Sequence, residues 1–201
     1  MNKSVFNINQ QQQDLSSKIV VGLERVSEAF KVLLWEHAKS IGLSPIQIQI
    51  LIFVAHHKTK YCNVSHLAQE FNVTKPTVSD AVKVLDAKQL IIKDFSSADN
   101  RSYSIVLSEK GKEIVSKTEG FANPIQQQLG KLNTTDLENV YNAVTNLIYG
   151  LNKTGHLSVQ RMCFACKYYK NNNNSHFCNF LNQQLKTDEI RIDCPEFEES
   201  A

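Results

Sequence analysis

Apolar residues recur at three- and four-residue steps through Ile19, Leu23, Val26, Phe30, Leu33, Leu34 and Ile41, with His37 in the same register. This spacing predicts one long amphipathic helix from Asp14, ended by Gly42. Ser44-Pro45-Ile46-Gln47 then opens a second helix, with Ser44 as cap, Pro45 in the first turn and Gln47 reaching back; it is expected to run to about Lys58. A shorter helix starting near Asn63 carries Leu67, Ala68 and Phe71, Asn72-Val73 turns the chain, and Thr74 caps a fourth helix with Val78, Ala81, Val82 and Leu85 inward.

The period then changes. Leu90 to Phe95 and Ser102 to Leu107 are expected as two strands joined through Ser96 to Arg101. Ser108 caps another helix, Asn123-Pro124 bends or breaks it, and a last long helix starts at Thr134 or Thr135 and carries Leu137, Val140, Val144, Leu147 and Ile148. After Gly155, cysteines, aromatics and an Asn171 to Asn174 run replace helical periodicity. The expected organisation is a disordered Gln-rich lead-in over 1–13, a helical body over 14–155 and a cysteine-rich module over 156–201.

The 42% apolar and 21% charged composition is that of a soluble globular protein, and the net charge of +2 neither demands nor excludes a nucleic-acid partner. No apolar run approaches the roughly 18 to 20 residues of a membrane helix. MNKSVFNINQ has no apolar core of a secretory signal, so the expected setting is the cytoplasm, without a membrane partner. Thiols stay reduced there, and clustered cysteines point to metal or redox chemistry more than to disulfides.

Helix, short helix, tight turn, helix and two-stranded hairpin is the order of a winged helix-turn-helix, whose second motif helix lies in the DNA major groove. Its exposed positions here are Lys75, Thr77, Ser79, Asp80 and Lys83. Hydroxyls and a lysine near a helix N-terminus suit phosphate oxygens. Arg101, just after the hairpin tip, is placed to enter a minor groove. Taken alone, Thr74 to Lys88 would equally be a solvated amphipathic helix, its lysines partly offset by Asp80 and Asp86.

The segment Val64 to Ile114 resembles the MarR family of bacterial transcriptional regulators. Three stretches carry the likeness: LAQEFNVTKPTVSDAVKVLDAKQLI, Asp99-Asn100-Arg101 at the wing, and the LSEKG of Leu107 to Gly111. Over roughly Asp14 to Leu151 the resemblance implies a mainly α fold with a small β-hairpin wing. It also implies a homodimer joined through the first and last helices of the body, and a repressor that binds a near-palindromic operator in double-stranded DNA. It places Thr74, Lys75, Pro76, Thr77, Ser79 and Lys83 at the major groove, and Arg101 in the minor groove, oriented by Asp99. A small-molecule effector between the dimer helices and the winged domain is implied too, though no residue identifies it. Asp80 departs from the Arg or neutral polar residue of many members, which suggests a cytosine contact or an intramolecular pair.

The tail departs from that pattern. Cys163-x2-Cys166, Cys178 and Cys194-Pro195 supply four thiolates from three segments, enough for a tetrahedral zinc or a [4Fe–4S] cubane, and a module this small needs such a staple to fold. Both remain open at this level, as do ordinary core cysteines and a thiol switch. His176, two residues before Cys178, is a surface residue or a substitute ligand. Cys62 stands apart as a buried or half-buried thiol, and His56, His57 and His66 are taken as a helix end and a helix face.

No glycine-rich nucleotide loop and no βαβ pattern around the CxxC is present, so an enzyme is not expected. The alternatives to a regulator are a redox or electron-transfer protein using the four cysteines, or a protein-interaction module.

Overall fold

The computed structural model describes residues 4–96, 103–159, 161–172 and 175–199. A short helix α1 (Ile8–Gln11) precedes α2 (Leu15–Ile41). The Asp14 carboxylate caps α2, accepting the backbone N–H groups of Ser16 at 3.2 Å and Ser17 at 2.9 Å, and Gly42 closes it in the left-handed region at φ 65°. Helix α3 (Pro45–His56) begins with Gln47 Oε1 accepting the Ser44 N–H at 2.9 Å.

It ends two residues short of the expected Lys58 because His57 leaves the helical backbone, its ring stacked 3.7 Å from that of Phe53. A 3-10 turn, Thr59–Tyr61, leads to α4 (Val64–Glu70), capped by Asn63. Asn72, at φ 52°, turns the chain into α5 (Lys75–Ala87), where Thr74 Oγ1 accepts the Thr77 N–H.

Strands β1 (Ile91–Asp94) and β2 (Ser104–Leu107) pair antiparallel, Ile91 opposite Leu107 and Asp94 opposite Ser104. Both are shorter than expected. Helix α6 (Glu109–Thr118) starts at Ser108, whose hydroxyl accepts the Gly111 N–H at 3.0 Å. After a 3-10 turn at Glu119–Ala122, Pro124 sits in the first turn of a separate helix α7 (Asn123–Leu129), where its missing N–H costs nothing. Helix α8 (Thr134–Lys153) starts at Thr134, as expected, and is capped by Asn133.

Helix α3 is buried almost all round: Ile48, Ile50 and Leu51 are inaccessible, and they meet Leu67 of α4, Val78, Val82 and Leu85 of α5, and Ile105 of β2. A helix apolar on every side belongs at the centre, and α3 packs against α2, α5, α6 and β2. The cysteine-rich segment forms a second, small unit. A 3-10 turn at Cys163–Ala165 precedes a three-stranded antiparallel sheet in the order β3 (Tyr169–Asn172), β4 (Ser175–Cys178), β5 (Gln183–Leu185). Its core of Cys163, Leu185 and Ile190 lies against Tyr141 of α8, whose hydroxyl donates to the Ile190 carbonyl. Among the described residues, no single helix is long and apolar enough to cross a membrane.

Candidate functional site

The exposed end of α5 presents Thr74, Lys75, Pro76, Thr77 and Lys83, with Ser79 half-buried among them. Burial of Val78, Ala81, Val82 and Leu85 fixes which face turns outward. The hydroxyls of Thr74 and Thr77 lie 2.8 Å apart and stiffen the first turn. Asp80 Oδ1 accepts from Lys83 Nζ at 2.9 Å, so of the two roles open to Asp80 the structure forms the intramolecular pair. Lys88 is turned away, donating to the Gly42 carbonyl at 3.2 Å. The hairpin leans on α5 through Lys93 Nζ and Asp86 Oδ2, 2.6 Å apart. Asp99 and Arg101 lie outside the described residues.

The four tail cysteines, distant in sequence, line one cavity together with Tyr168, Leu181 and Leu185. Burial pushes the Cys163 thiol up, and the other three cysteines add to that rise, against a backbone hydrogen bond from Arg191 that lowers it. The Arg191 N–H donates to Cys163 Sγ at 3.2 Å and its Nη1 to Cys194 Sγ at 3.7 Å. No three His, Cys, Asp or Glu side chains among the described residues converge on a point that would hold a single metal ion. His176 is outside this cavity: its Nδ1 is 2.6 Å from the Tyr169 hydroxyl. Cys62 is buried under α3, and burial alone holds its thiol up at about 11.

Between the two units lies a cluster that sequence reading missed. Arg161 is buried and grips Glu70, the last residue of α4, with Nη1 to Oε2 at 2.7 Å and Nη2 to Oε1 at 3.1 Å. Its Nε donates to Asp193 Oδ1 at 2.7 Å, while His57 Nε2 meets Asp193 Oδ2 at 2.6 Å and His66 Nε2 lies 3.3 Å from Arg161 Nη1. The guanidinium also lies over the rings of Phe53 and Tyr61, at 5.3 and 5.5 Å. Burial works against the charge on Arg161, and the hydrogen bonds it donates to Glu70 and Asp193 outweigh that and raise its pKa. His57 and His66, expected as a helix end and a helix face, do occupy such places, but they also meet the tail. The only sequence signal was an arginine beside the CxxC, and nothing local pairs it with Glu70.

A model of the MarR family matches residues 41–102. No curated protein matches the chain in sequence. The fold is similar to that of Staphylococcus aureus MepR in a DNA complex (22% identity, TM-score 0.56, 64% of this chain and 94% of that one). It is also similar to that of a MarR transcriptional regulator from Methanosarcina mazei Go1 (17% identity, TM-score 0.58, 68% and 97%). About a third of this chain lies outside either likeness. The chain therefore carries a winged-helix body similar in fold to these regulators, with the MarR family model matching from the end of α2 through β1, followed by a cysteine-rich unit.

Proposed function

We propose that the chain is a homodimeric transcriptional regulator, a repressor in action, that binds a near-palindromic operator in double-stranded DNA. The observation that carries this reading is the outward N-terminal turn of α5, with Thr74, Lys75, Pro76 and Thr77 displayed on a winged-helix body whose fold is shared with a protein solved on DNA. In this reading Ser79 and Lys83 contact the groove beside them, while Asp99 and Arg101 serve the minor groove. Two copies join through α2 and α8, whose apolar side chains are left uncovered in the single chain. Cys163, Cys166, Cys178 and Cys194 hold an inorganic cofactor that is structural or sensory.

The test is selection of the preferred duplex from random DNA, followed by titration at several salt concentrations. A two-fold-related motif, bound with affinity that falls steeply as salt rises, is expected. Recovery of no motif overturns the reading. Arg101→Ala is expected to weaken the selected duplex about ten-fold with the fold intact.

A further inference from the structure

The four tail cysteines are not gathered around the position of a single zinc ion among the described residues. Four thiolates bound to one zinc at about 2.3 Å are drawn to about 3.8 Å from one another, in mutual contact around the ion. Here Cys163, Cys166, Cys178 and Cys194 line one cavity, yet among the described residues no three donors close on a point. The other walls of this pocket are mostly aromatic and aliphatic, with Glu189, Arg191 and Glu196 also lining it. Four sulfurs around one space that do not close on a single ion, among mostly apolar walls, suit a group that spreads its metal atoms to meet each of them. The N–H groups of Arg191 aimed at two of the sulfurs supply the hydrogen bonds that steady thiolates carrying such a group.

We infer that these four cysteines ligate an iron–sulfur cluster, [4Fe–4S] in form, and that Arg161 relays its presence to the helix-turn-helix; the second part deepens the regulator reading and rests on it. Ligation is an exchange without electron transfer: each thiol releases one proton to solvent and its sulfur binds one iron.

The relay follows from where the ligands sit. Cys163 is two residues beyond Arg161, and Cys194 follows Asp193. Their segments are laced together by Cys163 N–H to Arg191 O at 3.0 Å and Cys194 N–H to Arg161 O at 2.9 Å. A cluster held by Cys163 and Cys194 therefore sets the spacing at which Asp193 meets Arg161. Arg161 in turn holds Glu70 by both carboxylate oxygens, immediately before the turn at Asn72 that aims α5. Without the cluster the two segments are joined by these backbone hydrogen bonds alone, and the grip on α4 loosens.

The full chain is incubated without oxygen with iron, sulfide and a thiol reductant, then desalted. The expected product has about four iron and four sulfide per chain and a broad absorption near roughly 400 nm, lost in Cys178→Ala. One zinc per chain with no sulfide, or no bound metal, overturns the cluster; two iron and two sulfide overturn the cubane form. Amide exchange of Val64–Glu70 is then compared with and without the cluster, a readout that needs no DNA. Slowing by about ten-fold on loading is expected in the native chain and absent in Arg161→Gln and Glu70→Gln that still bind the cluster. Equal rates in loaded and unloaded native chain overturn the relay. Neither result depends on whether an operator is found.

Discussion

At Gly111 a single methyl group has nowhere to go. A Cβ built there would lie 2.0 Å from the Leu90 carbonyl oxygen, which itself accepts the Ser108 N–H. The glycine of LSEKG is thus a packing requirement where α6 crosses the entry to the hairpin, and Gly111→Ala should cost about 1–3 kcal/mol, seen as a lower urea midpoint. Asp80 is the opposite case, an exposed residue with no packing role. Its pair with Lys83 is worth little in water, since both side chains are more than 70% exposed. Next to phosphates it would repel DNA and occupy a cation. Asp80→Asn is therefore expected to tighten DNA binding a few-fold and to steepen its salt dependence by about one charge; unchanged affinity would show that Lys83 does not face the backbone.

The cysteine-rich unit docks on α3 and α4 through groups whose charge depends on pH. His66 is held below its ordinary pKa, first by burial and then by the charges of Arg161 and His57, against the pull of Glu70. Burial also acts on Asp193, raising its pKa, but the hydrogen bonds and charges of Arg161 and His57 win and lower it. A histidine depressed in the folded state supports the docked form fully above its unfolded pKa of about 6.5, and that support is lost as pH falls through the folded value. A depressed carboxylate has the same sign at lower pH. Resistance of residues 154–159 to protease should accordingly be constant from pH 8 to pH 7 and fall by pH 5. His66→Gln, which keeps an acceptor for Arg161 but does not titrate, should flatten the upper part of that fall. A profile unchanged by the substitution would remove His66 from the docking surface.

On the scale of the molecule, the most conspicuous feature is what one chain leaves uncovered. Ile19 is 53% exposed, Val26 45%, Phe30 40% and Leu147 45%, on two long helices that are otherwise ordinary amphipaths. An apolar surface of this extent is covered by a partner in a soluble protein. With a second copy as that partner, Phe30→Asp should halve the mass measured by light scattering and abolish operator binding, because two half-sites need two recognition helices. A native chain that is monomeric at micromolar concentration would sink the dimer.

How the chain divides between local and tertiary information follows from the range of the forces. The helix starts at Asp14 and near Asn63, the caps at Thr74 and Ser108, the turn at Asn72 and the inward face of α5 were legible because each is decided within a few residues, by a side chain reaching a nearby N–H or by helical period. The end of α3 came two residues early and a 3-10 turn was added ahead of Pro124, where neighbouring packing outweighs local preference, while α8 starts at Thr134 as expected. The CxxC spacing did not discriminate between one ion and a cluster, and it did not show that all four tail cysteines line one cavity; that is set by how β4, the turn at Cys163 and the Cys194 segment pack. Least legible was the Arg161 cluster. It joins residues 91 and 136 positions apart, and no local rule reaches so far. Sequence by itself determined the elements and the chemistry carried on each, through short-range hydrogen bonding and periodicity. Only the tertiary structure decided which distant charges share a buried space, because burial makes their pairing obligatory and burial belongs to the packed molecule alone.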